Sequence, residues 1–100
     1  MQRRGDSLMP KVFDAGPFSV YFWIGEGDPL EPVHVHVTTG VPAPEDTKFW
    51  MTKSGGVVLC HNKGRIPRAQ LREIEDMIAS QHRLIVSKWQ ARFGRVSYYC

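Results

Sequence analysis

One hundred residues, 42% apolar and 23% charged, with a net charge of +3, make an ordinary globular composition of single-domain length. That balance excludes a disordered chain, and no apolar run approaches the roughly 20 residues needed to span a bilayer. The opening run Met1-Gln2-Arg3-Arg4-Gly5-Asp6-Ser7-Leu8 carries charge but no apolar stretch, so no secretory leader is expected. Two cysteines, Cys60 and Cys100, are too few for a disulfide framework, which makes a reducing cytoplasm the expected location.

Residues 1–8 read as a tail, with Met9-Pro10 as an alternative start. Phe18 to Ile24 alternates, placing Phe18, Val20, Phe22 and Ile24 on one face and Ser19, Tyr21 and Trp23 on the other. Period two in aromatic and β-branched residues predicts a strand. Gly25-Glu26-Gly27-Asp28-Pro29 is a turn cluster. Val33 to Thr39 is a second predicted strand, with Val33, Val35 and Val37 opposed to His34, His36 and Thr38. Gly40 to Pro44 is a loop, Thr47 to Thr52 a third strand, Ser54-Gly55-Gly56 a turn, and Val57 to Asn62 a short fourth strand. Short strands joined by tight turns favour an antiparallel meander.

Lys63-Gly64-Arg65-Ile66-Pro67 closes the sheet, and Pro67 suits the first turn of a helix. Leu71, Ile74, Ile78, Ile85, Trp89 and Phe93 then recur at helical spacing, with His82 filling the gap. The stripe fits one long kinked helix, or two helices divided near Ser80-Gln81-His82 with Ser as a cap residue. Gly94 is a natural stop. The expected fold class is therefore α+β. An antiparallel sheet of three to four strands precedes one long kinked helix or two C-terminal helices packed on one face. Residues 9–94 form the single domain, and 95–100 a C-terminal tail or short strand.

His34 and His36 are the sharpest chemical feature. At i and i+2 on a strand their side chains share a face, close enough to act on one ligand. Two imidazoles suit acid and base work on a phosphodiester, with Lys48 or, less directly, Lys63 beside the developing charge. They also suit a metal, for which Cys60 with His61, or Glu31 and Asp28, are the remaining candidate ligands, although no spacing identifies a known site. The plain structural alternative is that both rings hydrogen-bond to backbone or carboxylates and pack beside Trp23 and Trp50. No cofactor is expected.

If the valine face packs on the helices, the opposite face presents Tyr21, Trp23, His34, His36, Lys48 and Trp50. With one helical layer that face is expected to be bare. It would serve self-association or a protein partner, in which Trp and Tyr are enriched, or stacking of single-stranded RNA. Acids Glu26, Asp28, Glu31, Glu45 and Asp46 precede residue 47, whereas Arg65, Arg68 and Arg72 lead a basic C-terminal half. Those arginines either grip phosphates or form a solvated face. The element order is unlike a helix-turn-helix bundle, and neither a phosphate loop nor a nucleophile elbow is present.

Taken together, these residues resemble a known family. An aromatic strand FSVYFWI follows Gly16, and a Gly-Glu-Gly loop runs into Glu31-Pro32-Val33-His34-Val35-His36-Val37. Lys48-Phe49-Trp50-Met51, Leu71-Arg72-Glu73-Ile74 and Trp89…Phe93-Gly94 follow in order. The sequence from Met9 to Gly94 is similar to the small prokaryotic domain of unknown function 4160. It departs at Val33, where the family has a second proline, and in a longer Gly40–Asp46 loop. The resemblance implies a component of a toxin–antitoxin or mobile-element gene pair and carries no reaction.

The expected function is a small cytoplasmic interaction module acting through an open aromatic and histidine face, with a protein partner or a second copy. Nucleic acid is admitted and a membrane is not expected. Two further readings stay open. One is a metal-independent ribonuclease-type toxin using His34 and His36 as acid and base; the other is a metal-binding protein on the same histidines.

Overall fold

The computed structural model describes residues 11–24 and 29–100. The expected tail over 1–8 and residues 25–28 of the expected turn, including the candidate ligand Asp28, lie outside the described residues. Among the described residues the chain forms five strands: β1 (Lys11–Ala15), β2 (Phe18–Tyr21), β3 (His34–Thr38), β4 (Thr47–Met51) and β5 (Val57–His61). Two helices follow, α1 (Arg68–Ser80) and α2 (His82–Phe93). The strands lie in the order β1-β2-β3-β4-β5, and each neighbouring pair is antiparallel. The meander and the α+β class are as the sequence predicts, but the strand count is five, not three to four.

The additional strand is β1. Lys11 and Asp14 interrupt its apolar pattern, so its own residues scarcely mark it as a strand. Its pairing partner does: Ala15 opposes Phe18 across the two-residue turn Gly16-Pro17. Gly16 has φ 62, the left-handed value that the first position of such a hairpin turn requires. β2 is shorter than predicted. Its pairing ends at Tyr21, although Phe22 beyond it remains buried.

Register sorts the two faces. Val20 opposes Val37 and Val35 opposes Phe49, on one side; Tyr21 opposes His36, His36 opposes Lys48 and His34 opposes Trp50, on the other. The first set joins Ile74, Ile78, Ile85 and Trp89 of the helices in a single core cluster. Each such buried Val, Ile or Phe side chain contributes about 1.5–3 kcal/mol of hydrophobic stabilisation. α1 lies over β5 and α2 reaches β1, so the helical layer crosses the full sheet.

The helical stripe is interrupted at Gln81, whose φ −107 and ψ 18 are not helical. Two helices, rather than one kinked helix, result. Ser80 does not cap the second; its hydroxyl donates back to the Met77 carbonyl at 2.7 Å. Pro67 stands at the N-cap of α1, and Gly94 closes α2 with φ 84. His82 Nε2 donates to the Thr52 carbonyl at 2.7 Å, fastening the start of α2 to the end of β4. Arg95–Cys100 forms no strand, yet two backbone bonds anchor it. Val33 N–H donates to the Ser97 carbonyl at 2.8 Å and Lys53 N–H to the Cys100 carbonyl at 2.9 Å. Both cysteines are free and exposed.

Candidate functional site: the histidine face

β3 carries both histidines in its central ladder, which fixes their common orientation. Their ring centroids are 5.1 Å apart with planes at 89°, so the expected juxtaposition of His34 and His36 holds geometrically. The expected openness does not. His34 is 0% exposed and His36 5%, and Tyr21 is fully buried as well. Only Trp23, Lys48 and Trp50 of the expected face remain half-buried.

Several elements provide the cover. The β2–β3 ladder ends at the Tyr21–His36 pair, just short of His34. There the Trp89 ring of α2 meets His34 at 5.1 Å, while Trp50 flanks it at 5.5 Å. His36 packs on Tyr21 at 5.5 Å, and Trp23 meets the Tyr21 ring edge-on at 5.3 Å. The loop after β3 returns over this side of the sheet. The Tyr21 hydroxyl donates to the Asp46 carboxylate, which also accepts the Ala43 N–H at 2.9 Å. From the C-terminal tail, Tyr99 stacks on Trp50 at 4.9 Å with an interplanar angle of 7°. The chain's own loop and tail bury most of the aromatic surface of this face.

Polar contacts complete the arrangement. His34 Nδ1 lies 2.9 Å from the Pro32 carbonyl, and because a carbonyl only accepts, Nδ1 carries the proton. Glu31 sits between two cations or potential cations, with Oε1 3.0 Å from Lys48 Nζ and 4.0 Å from His34 Nδ1. Lys48 Nζ also stands 4.3 Å over the Trp50 ring centroid, a cation–π geometry. The Lys48 charge is therefore matched internally by Glu31.

His61 extends the row. It pairs with Lys48 across β4 and β5, and its imidazole sits below the usual histidine range. Burial is the first cause, followed by the Lys63 charge, then His36 and Lys48; Glu45 opposes them. Lys63 is exposed in the β5–α1 loop and acts on His61, with its N–H donating to His61 Nδ1 at 3.3 Å. Arg65, Arg68 and Arg72 are exposed and lie apart from the histidines, around the start of α1. Among the described residues, no group of three His, Cys, Asp or Glu side chains is arranged to hold a metal.

The structure thus brings together Tyr21, Trp23, His34, His36, Lys48 and Trp50, places Lys63 beyond them beside His61, and leaves the arginines elsewhere. Sequence reasoning did not place Asp46, Trp89 or Tyr99 at this site. All three arrive from other elements, and no local pattern marks such contacts. Glu31 was recognisable only as a candidate metal ligand, whereas it serves as the counter-ion of Lys48.

The fold and this packed histidine strand define a small α+β meander domain whose polar strand face is roofed by its own loop and tail. The chain belongs to the family described as domain of unknown function DUF4160, which it matches over residues 18–90. The match spans β2 through most of α2 and leaves β1 and the C-terminal tail outside. It assigns no reaction, substrate or partner, and a toxin–antitoxin association does not follow from it. Searches among curated proteins and among solved structures give no match. No helix among the described residues is long and apolar enough to cross a membrane.

Proposed function

We propose that this chain is a protein-interaction module and that His34 and His36 organise its interior rather than perform chemistry on a substrate. The observation that carries this reading is the burial of both imidazoles, 0% and 5% exposed, among Trp89, Trp50 and Tyr21. A general acid or base must come within hydrogen-bond reach of the substrate atom it serves. Burial of this kind weighs against the ribonuclease reading. The Trp50 face on which a base would stack is occupied by Tyr99, which weighs against RNA stacking there. Exposed apolar side chains remain at Val41 in the loop after β3, at Val58 and Leu59 on β5, at Met77 and Leu84 on the helices and at Tyr99 on the tail. Val58 and Leu59, adjacent and exposed on one strand, supply apolar surface for association.

The test is native capture of the tagged full chain from its own cells, followed by reconstitution of the complex from purified components. A stoichiometric heteromeric complex is expected. A chain that stays monodisperse, captures no stoichiometric protein and instead degrades RNA in a His34- and His36-dependent way overturns the proposal.

A further inference from the structure

Among the described residues β5 is the last strand of the sheet, and one side of its backbone has no strand neighbour there. Sheet edges are ordinarily blunted by charge or proline. The opposite edge, β1, carries Lys11 and Asp14, joined by a 3.2 Å ion pair. β5 reads Val57-Val58-Leu59-Cys60-His61, with no Lys, Asp, Glu or Pro, and Val58, Leu59 and Cys60 are exposed. A shift in register between the Lys48 and Phe49 pairs makes Cys60 the extra residue of a bulge, which leaves Val57–Leu59 as the regular edge.

A groove of about 490 Å³ adjoins this edge on the helical side. Leu59, Ile66 and Leu71 form its apolar part; Arg68 and Arg72, one turn apart on α1, line it with Glu75. Among the described residues neither arginine makes an ion pair. Both are exposed, and Lys63 and Arg65 stand on the preceding loop.

We propose that the β5 edge and this groove bind an extended acidic segment of a partner protein, which adds to the sheet as a sixth strand. Strand addition takes its affinity from main-chain hydrogen bonds and its specificity from alternate side chains. On the helical side those side chains meet Leu59 and Leu71 and then Arg68 and Arg72, so apolar and carboxylate groups fit there together. A second copy fits poorly. Antiparallel β5–β5 pairing puts both helical layers on the same face and sets the arginines of the two copies opposite one another. Nucleic acid also fits less well, because the groove contains no aromatic ring on which a base could stack. The site specifies the interaction-module reading and rests on it.

The test is titration of the folded full chain, followed by backbone NMR. The probes are a short Val-Thr-Glu-Thr repeat peptide, which puts Val and Glu in turn on one face of an extended strand, its counterpart with Lys for Glu, and a short single-stranded RNA. The acidic peptide is expected to shift the amides of Val57–Leu59 and to bind about tenfold tighter than the basic one. Arg68→Glu/Arg72→Glu, at exposed positions, is expected to remove that preference, and Arg68→Gln/Arg72→Gln to give an intermediate loss. Tighter binding of the RNA, equal binding of the two peptides, shifts confined to other strands, or β5 shifts arising from self-association would each overturn the proposal. The reconstituted complex separates the two readings. A partner that binds wild type and R68E/R72E equally removes this site while leaving the interaction module intact; a chain with no partner removes the module itself.

Discussion

The Tyr21 hydroxyl donates a hydrogen bond to the Asp46 carboxylate, joining β2 to the end of the β3–β4 loop across the strand that carries the histidines. Both residues are buried, and Ala43 N–H is the second described donor to that carboxylate. Tyr21→Phe keeps the ring against His36 but leaves a buried carboxylate short of a donor. It should destabilise the fold by about 1–3 kcal/mol in urea denaturation, with an unchanged m-value. A neutral effect would mean that the loop is held by other contacts.

His34→Ala removes a fully buried ring that touches Trp50, Trp89 and His36. The expected loss is on the order of 2 kcal/mol or more, from the cavity and the Pro32 carbonyl left without its His34 donor. Thermal denaturation checks it. A stability equal to wild type would return His34 to the candidates for surface chemistry.

His61 supplies a pH dependence. Its pKa lies below the ordinary 6.5 in the folded chain, so the unfolded chain binds more protons between the two values. The stability that comes from keeping His61 neutral is present above 6.5 and is lost as the pH falls through the folded pKa. His61→Gln should flatten that part of the stability curve. Lys63→Gln, which removes the leading charge beside it, should raise the His61 midpoint followed by NMR. A wild-type midpoint at or above 6.5 contradicts the assignment.

Gly64 is confined by the strand beneath it. A Cβ there would lie 2.7 Å from Thr47 Oγ1 and 3.1 Å from Thr47 N. Thr47 cannot readily yield, because its hydroxyl donates to Asn62 Oδ1 at 2.7 Å and accepts Gly64 N–H at 3.2 Å. Gly64→Ala should therefore cost about 1–3 kcal/mol, measured by chemical denaturation, whereas the same change at Gly40, where nothing lies within 4 Å, should cost little.

Tyr99→Ala removes the ring stacked on Trp50 from an exposed position of the tail. The loss of stability should be no more than about 1 kcal/mol, while acrylamide quenching of tryptophan fluorescence should rise as Trp50 is uncovered. Unchanged quenching would show that the tail does not shield that face in solution.

Most of the architecture was legible because it depends on local periodicity. The Val33–Val35–Val37 alternation and the Ile74–Ile78–Ile85–Trp89 stripe each mark a buried face, and these faces form the core. β3, β4 and β5 fall within a residue or two of their predicted limits. β1 was not legible, since Lys11 and Asp14 break its pattern and only pairing with β2 makes it a strand. The choice between one helix and two turned on Gln81, a good helix former that nonetheless leaves the helical conformation there, so nothing local marked the break.

The sequence alone determined that His34 and His36 share one side of a strand, because the period of two in an extended chain is a property of the backbone. It could not determine whether that side faces water. Asp46, Trp89 and Tyr99 come from a loop, a helix and a tail far apart along the chain, and their approach is fixed by long-range packing. Only the tertiary structure turned a pair that reads as chemistry into a buried pair, and left Val58 and Leu59 exposed on β5.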